Sequence, residues 1–387
     1  MEKTYFKNIV GEIHSHIDKL IEDGILQNKK IILFGLNTSS YVMEDYLRDK
    51  NIEITAYIDN DKTKRERFKR TVPSYSPEQM AETYGNDVVI LIISKYYKEM
   101  KKQLEQLGYQ EKQHIIQIVD MNDMEQYVDY SDVSGMKEAS LEQLKDIQII
   151  LLKELKKICE KHGLRYYLCG GTLIGALRHK GYIPWDDDID VIMPMKDYKQ
   201  LLRVVNDSEI PYKILNVYDY PDTFASFFGK MTYPDTVIKS WTYPYIDSMP
   251  INIDIFPLYG LPEKNEEGFA DRMEELHVEI VEEYIKYPQL TQHYFALQRE
   301  ILTQMEKYNF DESENVAFLF SRYKKKEITP RSIYDKTIMA EFEGELYPIA
   351  EGCDIYLTNL YGADYMELPP EEKRVSVHNC RAFIKEA

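Results

Sequence analysis

Hydrophobic positions recur with two different periods along the chain, and the change of period divides it. In the first 120 residues, short unbroken apolar runs alternate with helix-length polar segments. Ile31-Ile32-Leu33-Phe34 ends at Gly35, and the polar turn Asn37-Thr38-Ser39-Ser40 can cap a helix over Tyr41 to Asp49. Ile54 to Ile58 reads as a second strand, closed by Asp59-Asn60-Asp61. Val88 to Ile93 is the most apolar strand; a charged helix from Lys95 to Leu107 and a strand from His114 to Val119 follow. Strands with no polar alternation are covered on both faces, which predicts a parallel α/β sheet. Residues 1–120 therefore read as a small Rossmann-like domain.

Residues 121–137 are acidic and polar and read as a linker, leaving 138–387 as a second domain. There the period becomes helical. Leu141, Leu144, Ile147, Leu151, Leu155 and Ile158 form one stripe at steps of three and four between Ser140 and His162, and Gly163 stops it. The chain then reads as strand, Gly170-Gly171-Thr172 turn, short helix, basic loop and acid-bearing strand.

The net charge of −18 argues against broad nucleic-acid binding, which needs a basic face. An anionic substrate would have to meet a local basic cluster, and Arg178-His179-Lys180 supplies one. The four cysteines form no Cys-x-x-Cys pair, so reduced thiols are expected. With no apolar run long enough to span a bilayer or to act as a signal peptide, a cytoplasmic enzyme is expected; peripheral membrane contact stays open.

The chemistry concentrates between residues 170 and 190. Two glycines admit a ligand close to the backbone, and Thr172 is read as opening a helix whose N–H groups attract phosphate. Asp186-Asp187-Asp188-Ile189-Asp190 runs into apolar Val191-Ile192-Met193, so these acids enter a core strand rather than a solvated loop. Asp188 and Asp190 lie two apart, hence on one strand face, where paired carboxylates hold Mg²⁺ or Mn²⁺. Asp254 stands alone in the apolar strand Ile251 to Phe256, sharing a face with Asn252 and Phe256, and is the candidate third carboxylate.

These segments resemble the LicD family, whose members are phosphocholine transferases of bacterial surface glycans related to the fukutin-type transferases. The resemblance rests on Gly170 to Gly181, Ile183 to Asp190 and Ile253 to Leu258. It also rests on Tyr356 to Gly362 with Leu368-Pro369-Pro370-Glu371-Glu372-Lys373-Arg374. It covers about residues 138–387 and implies an α+β nucleotidyltransferase-like catalytic domain with C-terminal helical additions. It also implies a CDP-activated alcohol such as CDP-choline as donor, and a glycan hydroxyl, lipid-linked or not, as acceptor. The carry-over makes Asp188, Asp190 and Asp254 metal ligands and catalytic residues. Gly170, Gly171, Thr172, Arg178 and Lys180 become donor-phosphate ligands, and His378 a further candidate. A trimethylammonium head group needs aromatic faces, and Trp185, Trp241, Tyr243 and Tyr245 are the nearest supply in sequence.

The front domain is partly similar to nucleotide-sugar-binding domains of some bacterial sugar-modifying enzymes. Of the Gly-x-Gly-x-x-Gly fingerprint only Gly35 is present, with Asp59 where a ribose-binding acid would stand. Three other readings compete: an Asp-x-Asp glycosyltransferase using a nucleotide sugar, a cytidylyltransferase making the CDP-alcohol, and an inactive binding module.

Overall fold

The computed structural model describes residues 4–67, 70–223, 226–241, 248–286, 289–371, 374 and 379–385. Its contacts divide the chain into two units: residues 2–129 with 284–288, and residues 130–283 with 289–387.

In the first unit the strands are β1 (Lys30–Phe34), β2 (Ala56–Ile58), β3 (Ser74–Tyr75), β4 (Val88–Ile93) and β5 (Ile115–Val119). The helices are α1 (Thr4–Glu22), α2 (Thr38–Asp49), α3 (Lys62–Arg67), α4 (Pro77–Tyr84) and α5 (Tyr97–Gln106). The strands pair in the order β3-β2-β1-β4-β5, all parallel. Every residue of β4 is buried, as an inner strand covered on both faces requires. Asn37 caps α2 by accepting the Ser40 N–H, so this helix starts three residues before the expected Tyr41. Helices α1, α3 and α4 and strand β3 had no counterpart in the pattern of apolar runs. β3 is two residues long and only half-buried, too short to register as a run.

The expected linker is not structureless. It holds two short 3-10 turns and the start of β6 (Lys137–Glu138), and the unit boundary falls inside it, at Asp129–Tyr130. Its second half belongs to the second unit: Asp132 pairs with Lys239, whose side chain is 4% exposed.

The second unit continues with α6 (Leu141–His162), β7 (Tyr167–Leu168), α7 (Gly170–Arg178), β8 (Asp190–Pro194), α8 (Met195–Asn206), β9 (Lys213–Leu215), β10 (Gly229–Thr232), β11 (Thr236–Ser240) and β12 (Asn252–Gly260). Then come α9 (Glu266–Lys286), α10 (Gln292–Glu306), β13 (Asn315–Ala317), β14 (Thr329–Pro330), β15 (Thr337–Phe342), β16 (Glu345–Ala350), α11 (Cys353–Tyr361) and β17 (Cys380–Ile384). A Ser140–Gln143 capping box starts α6, and Gly163 ends it in the left-handed region. The buried stripe differs from the expected one at its ends. Leu141 is exposed and Ile158 half-buried, while Gln148, Leu152 and Cys159 face inward. A 3.6-residue helix drifts off a strict three-four stripe over six turns.

The central sheet is mixed. β8 runs parallel to β12, which is antiparallel to β10, which is antiparallel to β9; β7 pairs β8 from the other side. β12 alternates: Ile251, Ile253 and Ile255 are at most 1% exposed, while Asp254 and Phe256 are partly open.

Candidate active site

Three neighbouring strands bring three charges into one row. Asp190 on β8 lies opposite Asp254 on β12, and Asp254 lies opposite Lys230 on β10. Directly opposed residues in a sheet hold their Cβ atoms about 5 Å apart, so the two carboxylates are neighbours by register. Asp188 lies two residues before the start of β8, and both acids are partly exposed while Ile189 between them is buried. The Asp254 N–H donates to the Ile189 carbonyl at 2.8 Å, tying the acidic loop to β12. Gln148 of α6 adds a clasp, donating to the carbonyls of Asp187 and Asn252 at 3.0 and 3.2 Å while accepting from the Tyr182 hydroxyl.

Helix α7 points its N-terminus at this row. The first intrahelical bond runs from the Leu173 N–H to the Cys169 carbonyl, so the N–H groups of Gly170, Gly171 and Thr172 precede the ladder. The helix starts at Gly170, two residues before the expected Thr172. A Cβ on Gly170, where φ is +54°, would lie 3.0 Å from Asp190 Oδ2; one on Gly171 would lie 2.7 Å from Asp186 Oδ2. The glycines are needed so that two carboxylates can pack against the helix end, where the dipole favours negative charge. Thr172 is 2% exposed and its hydroxyl accepts the Asp190 N–H at 2.8 Å, so its side chain orients Asp190 instead of facing a phosphate.

The Asp190 carboxyl lies against the start of α7 at Gly170 and is held well above the ordinary carboxylate range. Burial is the first cause, followed by the charges of Asp188, Asp254 and Asp186; Lys230 opposes them. Carboxylate oxygens of Asp186, Asp187 and Asp188 all lie within 4.8 Å of one another. Asp186 and Asp187 therefore join Asp188, whereas Asp190 and Asp254 lie outside this group of three. An all-oxygen, multiply anionic set of this kind suits a hard divalent cation.

The basic triplet is placed differently from expectation. Arg178 ends α7, about 12 Å along the helix axis from Gly170. Its guanidinium donates to the carbonyls of Tyr365 and Glu367 and bonds the His179 ring, which locks the loop after α11 to α7. Lys180 is 73% exposed and faces Glu341 at 3.4 Å. Neither cation joins the acid row. Lys230 does: its Nζ lies 2.5 Å from Asp254 Oδ1 and 3.2 Å from Asn252 Oδ1. The sequence carried a signal for it, a lone charge in the strand Phe227-Phe228-Gly229-Lys230-Met231, by the same logic that singled out Asp254.

Tyr361, at the end of α11, brings its hydroxyl 3.7 Å from the same Gly170 Cβ position and packs edge-on against Tyr323. Among the expected head-group aromatics, Trp185 has the Arg374 guanidinium over its ring at 5.8 Å, so that face already holds a cation. Trp241 is half-buried and its backbone N–H bonds the Asn379 carbonyl. Tyr243, Tyr245 and His378 lie outside the described residues. In the first unit, Gly35 adopts φ +112°, but Asp59 is occupied: its oxygens accept the Leu36 and Asp61 N–H groups, both at 2.8 Å. It builds the loop after β1.

Residues 163–312 match the family model described as LicD/FKTN/FKRP, nucleotidyltransferase domain. That stretch is a LicD-family domain. The LicD match contains the acid row, the α7 N-terminus and Lys230, while residues 27–116 match a separate model, C2185-like, N-terminal. The lipopolysaccharide cholinephosphotransferase LicD of Haemophilus influenzae is 28% identical over 267 residues, covering 64% of this chain and 100% of that protein. The human ribitol 5-phosphate transferase FKRP is 48% identical over 40 residues, 10% of this chain and 8% of FKRP. The chain is an enzyme of the phosphotransferase type. No described helix is long and apolar enough to cross a membrane.

Proposed function

We propose that this protein transfers a phospho-alcohol, phosphocholine or a close relative, from a CDP-activated donor to a hydroxyl of a surface glycan or its precursor. The observation that carries this is the row Asp190–Asp254–Lys230 set beneath the N-terminus of α7. Acids for a cation, the backbone N–H groups of a helix N-terminus and a fixed lysine meet at one place. The relatives named for cholinephosphate and ribitol phosphate transfer support the class of group moved.

Asp186, Asp188, Asp190 and Asp254 would hold Mg²⁺ or Mn²⁺, which when bound neutralises the donor diphosphate and polarises the phosphorus under attack. The chain's own groups do the rest. The N–H groups of Gly170, Gly171 and Thr172 orient phosphate oxygens. The acceptor oxygen forms a bond to the β-phosphorus as the bridging bond to the α-phosphate breaks. The electron pair leaves with CMP, and the acceptor proton passes to a carboxylate of the cluster.

The five-strand parallel order supports reading the first unit as Rossmann-like, and we read it as degenerate because Asp59 is engaged by the backbone. It serves to recruit an acceptor carrier or a partner enzyme.

The test is incubation with Mg²⁺ and a panel of CDP-choline, CDP-ribitol, CDP-glycerol and nucleotide sugars, following released nucleotide. Metal-dependent CMP release from a CDP-alcohol is expected. Release of nucleoside diphosphate from a nucleotide sugar would instead establish a glycosyltransferase. CDP-choline formation from CTP and phosphocholine would establish a cytidylyltransferase.

A further inference from the structure

The acid row ends in a lysine beside two phenylalanines, and no part of the reaction described above has used that corner. Lys230 Nζ bonds Asn252 and Asp254 and lies 5.0 Å from the centre of the Phe228 ring. An ammonium has three N–H bonds. Among the described residues two of them have acceptors, and the third is left for a ligand. Phe228 and Lys230 are two apart, and so are Asp254 and Phe256, so both aromatic rings continue the face that carries the charges. Their centroids are 4.8 Å apart, both residues are partly exposed, and buried Phe318 backs Phe256 at 5.2 Å. The result is a firm apolar platform with a cation at its edge.

We propose that this corner receives the leaving nucleotide of the donor: Lys230 binds its phosphate and the Phe228–Phe256 pair carries its base. The inference rests on the reading of the site as a nucleotide-activated phosphotransferase. The leaving phosphate gains negative charge as the bridging bond breaks, in a cluster crowded with carboxylates, and so needs a fixed cation. Arg178 and Lys180 are committed elsewhere. The platform suits a neutral base better than a trimethylammonium group, because the Lys230 ammonium already sits by the Phe228 face and repels a second cation. Aromatic faces stack on any base, so they supply affinity, while Lys230 selects for the phosphate.

The experiment measures CMP and Mn²⁺ binding by calorimetry on the full chain, with wild type, Lys230→Met and Phe256→Leu, alongside melting curves. Lys230→Met should weaken CMP at least 10-fold while Mn²⁺ affinity holds or rises, since a cation competing for Asp254 is gone. Phe256→Leu should weaken CMP about 10-fold and leave inorganic pyrophosphate binding unchanged. CMP affinity untouched in Lys230→Met, or lost together with Mn²⁺ affinity, would show that the lysine only buttresses Asp254 and would overturn the proposal. If Lys230→Met fails to fold, Phe256→Leu decides: equal loss of CMP and pyrophosphate counts against the platform. Should wild type bind UMP, AMP or GMP in place of CMP, the CDP-donor reading fails, and the same losses on that nucleotide still support this corner. Wild type that binds none of the four removes both.

Discussion

The buried acids of the first unit and the acid row of the second are handled in opposite ways. In the parallel-sheet unit each has its charge met. Asp59 accepts two backbone N–H groups, and Glu44 is held by the Tyr57 hydroxyl, Arg48 and Arg70 at 2.6 to 2.9 Å. In the second unit the buried Asp197 is likewise paired, with Arg165 at 2.7 Å, but the acids of the catalytic row crowd one another. Asp190 faces Asp254, Asp188 and Asp186 with one lysine at the end of the row. Glu327, 5% exposed, has Ser321 and Tyr356 as hydrogen-bond partners but no cation that holds its carboxyl down, and burial pushes it up to about 7. An acid whose lone pairs are filled by the fold is structural. One left unbalanced costs stability and is kept for what it can bind.

Exchanging acids between these roles gives the largest contrast. Asp188→Asn, Asp190→Asn and Asp254→Asn should each lower turnover about 10³-fold or more, roughly 4 kcal/mol of transition-state stabilisation, without lowering the melting temperature. Asp59→Ala should do the reverse. It leaves turnover intact and costs about 1–3 kcal/mol of stability, because the Leu36 N–H loses its acceptor. Steady-state rates and melting curves on the same preparations separate the two; near-normal turnover in all three site variants would dissolve the contrast.

Glu327 tests the cost of imbalance through pH. Its folded-state value, about 7, lies above the ordinary value of 4.5, so the folded protein holds that proton more tightly. Its stability contribution is full below pH 4.5 and is lost as pH rises toward 7, by about 3 kcal/mol in all. Glu327→Gln should therefore gain stability at pH 8 and none near pH 4. Denaturant midpoints at the two pH values measure this, and an equal gain at both would contradict it.

The unit boundary can be sharpened by where the chain is cut. A chain beginning at Tyr130 should fold and keep metal-dependent cleavage of a CDP-alcohol. One beginning at Ser134 lacks Asp132 and strands the buried Lys239, at a cost of about 2 kcal/mol. Lys239→Met in the shorter chain should recover most of that stability. Equal melting temperatures for the two truncations would show that the ion pair contributes nothing.

The smallest effects are expected at the basic triplet. Arg178→Ala should cost about 1–2 kcal/mol of stability, through its lost bonds to the Tyr365 and Glu367 carbonyls, with donor KM within about two-fold of wild type. Lys180→Ala should change stability by less than about 0.5 kcal/mol. A ten-fold rise in donor KM for either variant would return that cation to the phosphate site.

Local patterns carried much of this protein. Apolar runs announced β1, β4 and, around Gln117, β5, and Ser140, Gln143 and Gly163 bounded α6, because period and capping are properties of neighbouring residues. Asp188, Asp190 and Asp254 stood out because an acid inside an apolar strand is costly wherever the strand goes. Partners were not legible in this way. Arg178 and Lys180 are close to the acids in sequence, yet a nine-residue helix carries Arg178 away from Gly170. Lys230 is 24 residues from Asp254 and meets it through antiparallel register. Asp132 reaches Lys239 across 107 residues, which placed half of a polar linker inside the second unit. The sequence determines which residues are expensive to bury; which of them share a row, and so compensate or repel one another, is set by strand order and register, which no local period encodes.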